Sequence, residues 1–216
     1  MGEAEAVIQT ICEAFGRNEY PGEAYLQSSF DGCEPYDEVG AFKGLEDWTH
    51  IDAGLLDRHY AALSFFSEAG FRFYLPAYLL ADLRGELQTA DPLFHLVHGF
   101  SDVVVVHETP AGSFQRRTGG TALVNPQRYG AATWCDYARW RLSVFSREEA
   151  GAIVAYLRHM RDSDPYRLQA EQIDAALAQF WLERAQGAPE AASLAQHRAE
   201  EKRYIAAISC DLDPGV

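Results

Sequence analysis

Residues 65–83 of the chain read FFSEAGFRFYLPAYLLADL, from Phe65 to Leu83, and form its densest apolar and aromatic run. Large side chains at positions 71, 75, 78, 79 and 83 follow the helical spacing i, i+4, i+7, i+8, which indicates one wide buried face. Other large side chains fall off that face, so we expect neighbours on more than one side. The stretch predicts a central helix at about 67–85, capped by Ser67 and kinked or restarted at Pro76.

Amphipathic segments on both sides of this run predict further helices. Val7 and Ile11 share one face of the first helix, where Cys12 is also predicted to be buried. Ser146 and Glu149 match a capping box, in which each side chain accepts from the other's backbone. The predicted helices cover residues 3–15, 35–42, 52–63, 92–98, from 132, from 146 to about 160, 164–187 and 190–207, with Asp52, Asp91 and Ser146 as caps. The fold class is therefore mainly α: a multi-helix orthogonal or irregular bundle around the kinked helix at 67–85.

Between residues 101 and 130 the character of the sequence changes. Four valines at 103–106, followed by the turn-forming segment Thr109–Gly112, predict a strand, and Thr121–Val124 is its predicted partner. This gives a small two-stranded β insertion near 102–125, with a loop-rich insertion at 101–130 as the alternative. The predicted domains are one helical domain at 1–187 and a loosely packed C-terminal helix and tail at 188–216.

Composition excludes some classes of protein. The formal net charge of the 216 residues is −14, and lysine occurs only as Lys43 and Lys202. Because nucleic-acid binding depends on clustered basic side chains, we expect no nucleic-acid partner. No apolar run approaches the roughly 18 residues of a membrane-spanning helix, and residues 1–5 lack the basic start of a signal peptide. We expect no membrane association and a cytoplasmic location.

The central run and several other segments of the chain together resemble known proteins. The residues that carry it are Phe65-Phe66-Ser67, Phe71, Tyr74-Leu75-Pro76-Ala77-Tyr78-Leu79, Phe15, Tyr20-Pro21-Gly22, Phe42, Gly44, Trp48 and the segment 142–157. In these positions the chain resembles a bacterial family classed only as a domain of unknown function. The resemblance covers roughly Val7 to Leu157, and the segment 103–130 is longer than such a family leads us to expect. It implies no reaction and no catalytic residue.

One candidate site is a divalent-metal centre. His95 and His98 are three positions apart on a predicted helix, so both imidazoles can face the same way. With His107 and Glu108 after the loop they would offer ligands suited to zinc, iron or manganese. The spacing matches no metalloenzyme motif, and the alternative is that His95 packs on the core.

A second candidate is a ligand pocket with aromatic walls. Its predicted residues are Tyr74, Tyr78, Trp134, Tyr137 and Trp140. Aromatic walls with a few polar tips are typical of such pockets, although tyrosine and tryptophan are also ordinary core residues of helical proteins. Asp57 with His59, as a general base, and Cys135, as a nucleophile, are weaker candidates, because neither stands in a catalytic motif.

Three functions remain open. The first is a soluble bacterial protein that acts by protein–protein interaction, in an accessory or toxin-neutralising role, with a basic partner and an aromatic surface around Tyr74–Tyr78. The second is a small metal-dependent enzyme that uses His95, His98, His107 or Glu108. The third is a small-molecule binding module. The sequence assigns no catalytic residue and leaves open both enzymatic activity and oligomeric state.

Overall fold

The structure, a computed structural model, describes residues 2–100, 103–110, 112–118, 133–165, 169–187 and 191–210. In these ranges the chain is mainly helical, which confirms the predicted fold class. The helices are α1 (Glu3–Phe15), α2 (Glu34–Gly40), α3 (Ala53–Arg58), α4 (Ala62–Phe65), α5 (Glu68–Leu83), α6 (Pro92–Val97), α7 (Trp134–Leu142), α8 (Arg147–Ser163), α9 (Ala170–Ala176), α10 (Leu182–Gln186) and α11 (Ala191–Cys210). A π-helical turn, Leu177–Trp181, joins α9 to α10. None of the described helices has the length and apolar character that crossing a membrane requires.

Helix α5 is the predicted central helix. Ser67 caps it by accepting a hydrogen bond from the Gly70 N–H, and the helix continues through Pro76 without restarting. Buried side chains lie all around it, including Phe71, Phe73 and Tyr74 on different sides. A helix that is apolar all round is covered by neighbours on every side, so α5 forms the middle of the hydrophobic core.

Helix α1 packs against α8 and α5 through Val7, Ile11 and Phe15. The ring of Phe15 meets the ring of Phe145 edge to face, with centroids 6.1 Å apart. Cys12, predicted to be buried, is exposed. It follows Ile11 directly, and one helical residue turns the side chain by about 100° away from the buried stripe.

The helix predicted at 52–63 is in fact two helices. Asp52 caps α3 as predicted, because its carboxylate accepts from the Leu55 N–H. The chain then leaves helical geometry at His59, whose φ of −106° and ψ of 51° end α3. The sequence has no glycine or proline at this break, and its apolar periodicity runs across it. The pattern therefore predicted one helix where the structure has two.

Two short antiparallel strands, β1 (Val103–Thr109) and β2 (Gly112–Thr118), pair Val103 with Thr118 and Thr109 with Gly112. The predicted partner, Thr121–Val124, lies outside the described residues. The insertion predicted near 102–125 is therefore not supported in that form. Only two residues connect the strands, and such a short connection makes β1 pair with the segment that begins at Gly112.

The last described helix, α11, is anchored at its middle. His197, Glu201 and Ile205 are buried at a spacing of four residues, which gives α11 one inward stripe. The Glu201 carboxylate accepts from the backbone N–H groups of Glu68 and Ala69, at the start of α5. It thus neutralises the positive end of the central helix. The predicted division into units at 1–187 and 188–216 stays a prediction.

Candidate functional site

Tyr74 and Tyr78, predicted to line a pocket, are fully buried core residues. The Tyr74 hydroxyl donates to the Phe42 carbonyl oxygen at 2.8 Å, and the Tyr78 hydroxyl donates to the His59 carbonyl oxygen at 3.2 Å. Both rings also pack against Phe42. Burial raises the pKa of each hydroxyl well above its ordinary value, so both stay neutral donors. The aromatic surface predicted around Tyr74–Tyr78 is therefore interior.

Aromatic side chains do meet at the surface elsewhere, where α6 ends and α7 begins. The Phe94 and His98 rings are stacked with centroids 4.6 Å apart, His98 lies 5.4 Å from Trp134, and Trp134 lies 6.2 Å from Tyr137. Phe94 keeps 47% of its surface exposed, although it is large and apolar. We call these four residues the aromatic row. It contains two of the predicted pocket residues, Trp134 and Tyr137.

Backbone geometry brings the two helices of the aromatic row together. Gly99, with a φ of +93°, turns the chain out of α6. A Cβ atom at this position would lie 2.7 Å from the Trp134 carbonyl oxygen, which only glycine avoids. Thr133 and Asp136 form a capping box that starts α7 at Trp134. These local features fix Trp134 beside His98.

Two carboxylates border the aromatic row. Asp91 is exposed and accepts from the Phe94 N–H at 2.9 Å, which caps α6. Asp136 is exposed in the capping box of α7. The row therefore combines flat apolar rings with a negatively charged rim.

The predicted metal ligands His95 and His98 both contact Phe94. Burial, with the charge of Arg141 and the proximity of His98, lowers the pKa of His95 to about 3, and desolvation also lowers the pKa of His98. The structure describes no side chain of His107 or Glu108. Among the described residues, no three His, Cys, Asp or Glu side chains are grouped to hold a metal ion. The metal centre stays a prediction, which metal analysis of untagged protein tests.

The structure places Asp57 and Cys135, the weaker catalytic candidates, in contacts with other parts of the fold. Asp57 accepts three hydrogen bonds, from the backbone N–H groups of residues 88, 89 and 90, and these lower the pKa of its carboxyl group. It thus fixes the loop before α6. Cys135 lies 3.6 Å from the Gln179 Oε1 atom. Trp140, the remaining predicted pocket residue, contacts the His197 ring and lines a cavity of about 330 Å³ beside α11.

Charged side chains are concentrated between α5, α8 and α11. Arg72 binds Glu149 through two hydrogen bonds, Nε to Oε2 at 3.0 Å and Nη2 to Oε1 at 2.6 Å. Glu149 also accepts from the Ser146 N–H at 2.8 Å, which confirms the predicted capping box of α8. Arg198 lies close enough for the charge of Arg72 to act on it. Arginine can hold carboxylate or phosphate groups, so this region is the second candidate site.

The family of the chain follows from a match that runs from α1 into α10 and so includes most of this geometry. The chain belongs to DUF6714. The match covers residues 3–185, and DUF6714 is a family of unknown function. No curated protein and no solved structure matches the chain. The DUF6714 match contains the aromatic row and Arg72, whereas Arg198 and the rest of α11 lie beyond its last residue.

Sequence reasoning missed Phe94, Arg72 and Arg198 as candidate site residues. Arg72 did carry a signal, because it is the one charged residue between Glu68 and Asp82 in an apolar helical stretch and such a charge needs a buried partner. Arg198 carries no comparable signal, since α11 is polar along much of its length. Phe94 becomes notable only through its contact with His98 and its exposure.

Proposed function

We propose that the protein acts in the cytoplasm by binding a basic protein partner through the aromatic row, in an accessory or toxin-neutralising role. The observation that carries this proposal is the exposed ring contact of Phe94 with His98, continued by Trp134. Exposed aromatic side chains in contact are typical of protein interfaces, where tryptophan and tyrosine supply much of the binding free energy.

Charge supports a basic partner. The net charge of −14 attracts positively charged proteins over long range, and Asp91 and Asp136 keep this charge at the rim of the aromatic row. Arginine side chains of a partner can stack on Phe94 or Trp134 while they approach these carboxylates. The desolvated His98 is neutral at pH 7, so it does not repel them.

The test has two steps. A native pull-down from the source cells, read by mass spectrometry, first identifies a stoichiometric partner. Calorimetry with the purified partner then compares the wild type with Phe94→Ser and Trp134→Ser. The matched control is Tyr60→Ser, because Tyr60 is 51% exposed and lies outside the aromatic row.

We expect both row variants to weaken binding at least about tenfold, as hot-spot residues do, while Tyr60→Ser leaves the affinity unchanged. Binding should also weaken as salt is raised, since screening removes the attraction of the acidic rim. A partner that binds the row variants as tightly as the wild type contradicts the proposal. Self-association of the chain through the row, seen by light scattering, would replace the basic partner with a second copy.

A further inference from the structure

A cavity of about 380 Å³ lies between α5 and α11, and we call it the α5–α11 cavity. Its lining combines the apolar Pro21, Val144 and Ala199 with the charged Arg72 and Arg198. The volume is near the lower end of the range for small-molecule sites, about 300–1,000 Å³. The cavity shares no residue with the aromatic row.

One face of α11 forms a wall of this cavity. Ala195, Arg198, Ala199 and Lys202 recur at the i, i+3, i+4, i+7 spacing of a single helical face, and all four line the cavity. The buried Glu201 fixes the rotation of α11 because its carboxylate is bound to the first turn of α5. The position of Arg198 is therefore set by the fold.

Arg198 is partly buried and makes no hydrogen bond or ion pair with the residues that the structure describes. Desolvation lowers the pKa of its guanidinium group, and the charge of Arg72 acts in the same direction, against weaker opposing effects of Glu149 and Glu19. Removing a charge from water without a partner is unfavourable. A guanidinium group held in this way is suited to receive an anion.

Of the other charged residues that line the cavity, Glu19 is an exposed carboxylate that an anion would avoid, and the remaining three have contacts within the fold. Arg72 is bound by the Glu149 carboxylate, and Glu201 is bound to α5. The Lys202 ammonium group lies 4.8 Å from the centre of the Tyr25 ring. Among the described residues that line the cavity, Arg198 thus supplies the guanidinium group that is not already hydrogen-bonded to a carboxylate.

We propose that the α5–α11 cavity binds a small organic anion, a carboxylate or phosphate monoester with a short apolar body. Its anionic group forms a paired hydrogen bond with the guanidinium group of Arg198. The body packs against Pro21, Val144 and Ala199, which offer no hydrogen-bonding side chain. This activity is independent of the partner binding proposed above.

Calorimetry with two probes, hexanoate and butyl phosphate, tests the proposal on the full chain. Hexanol, which is neutral, and inorganic phosphate, which lacks the apolar body, are the matched controls. The variants are Arg198→Gln, which removes the charge, and Arg198→Lys, which keeps the charge but loses the paired geometry. Arg203→Gln is the control on the same helix, because Arg203 is exposed and does not line the cavity.

We expect saturable binding of at least one probe, at least about tenfold weaker in Arg198→Gln and intermediate in Arg198→Lys. Arg203→Gln should stay within about twofold of the wild type, a bound set by the small effect of exposed charges. The tighter probe assigns the anionic group as carboxylate or phosphate. Equal binding of hexanol, or full affinity in Arg198→Gln, would overturn the proposal, as would the absence of saturable binding by both probes.

Urea unfolding of the same variants separates binding from a structural role. An arginine kept for a ligand destabilises the free protein, so Arg198→Gln should leave the free energy of unfolding equal or higher. An arginine that only anchors α11 would give a lower free energy of unfolding when substituted. That result contradicts the proposal even if Arg198→Gln is too unstable for calorimetry.

Discussion

The side-chain amide of Asn18 donates a hydrogen bond of 2.8 Å to the carbonyl oxygen of Arg72. This carbonyl is the one that a helical N–H at position 76 would otherwise bind, and Pro76 has no N–H to offer. A residue 54 positions earlier thus completes the hydrogen bonding of the central helix at its proline. Helix α5 continues through Pro76 because the Asn18 amide takes the place of the missing backbone N–H.

Asn18→Ala should lower the free energy of unfolding by about 1–3 kcal/mol, because a carbonyl group of α5 loses its donor. In a Pro76→Ala background the backbone N–H that the substitution introduces restores the helical hydrogen bond, so the same change should have a much smaller effect. Urea unfolding of the four proteins of this double-mutant cycle measures the difference. An equal effect in both backgrounds would show that Asn18 stabilises the protein by another route.

Arg72→Leu should lower the free energy of unfolding by about 3–5 kcal/mol, since it leaves the Glu149 carboxylate buried without its partner. The side chains of Arg72 and Glu149 are only 15% and 3% exposed. Arg161→Leu is the control, because Arg161 pairs with Asp162 and Asp174 in an exposed ion pair worth less than about 1 kcal/mol. Chemical denaturation measures both, and similar losses would mean that the buried pair contributes little.

Acid should destabilise the protein through His95. Its pKa of about 3 in the folded state lies below the ordinary value of 6.5, so the unfolded chain takes up a proton first as pH falls. Stability contributed by neutral His95 is complete above pH 6.5 and is lost toward pH 3, by up to about 1.4 kcal/mol per pH unit. His95→Gln should flatten the dependence between about pH 7 and 5. Parallel curves for wild type and His95→Gln would contradict this assignment.

The contribution of Asp82 to the free energy of unfolding should change with pH in the opposite direction to that of His95. Burial raises the pKa of its carboxyl group above the ordinary value, and the Tyr156 hydroxyl donates to it at 2.5 Å. The ionised form is disfavoured in the folded state, so Asp82 destabilises the fold above its folded pKa, and this effect disappears as pH falls below its unfolded pKa. Asp82→Asn keeps an acceptor for Tyr156 and should raise stability at about pH 7, with a gain that shrinks toward about pH 4. Thermal unfolding across this range checks it, and a gain independent of pH would point to packing.

Caps were predictable from the sequence because they are local. Ser67, Asp52, Asp91 and Ser146 each bind a backbone N–H three residues later, a distance that a sequence pattern contains. The central position of α5 was predictable too, since an apolar run of that length needs cover on all sides.

The candidate sites were less predictable because tertiary contacts create them. Phe94 and Trp134 belong to segments 40 residues apart, and the row exists only where α6 meets α7. Periodicity placed Tyr78 on the buried face of α5 but left Tyr74 off it, and Tyr74 is also buried because neighbours cover α5 on every side. Arg198 becomes a candidate site residue only because the fold places it with Arg72 in the lining of the α5–α11 cavity.

The carboxylate that caps α5 is made late in synthesis. Glu201 follows Glu68 by 133 positions, so the central helix has left the ribosome long before its first turn receives that cap. A nascent chain that ends before α11 contains the apolar core but neither the cap nor the wall that carries Arg198. The proposed anion binding therefore requires α11, and it would distinguish a chain in which α11 has docked from one that has formed only the apolar core.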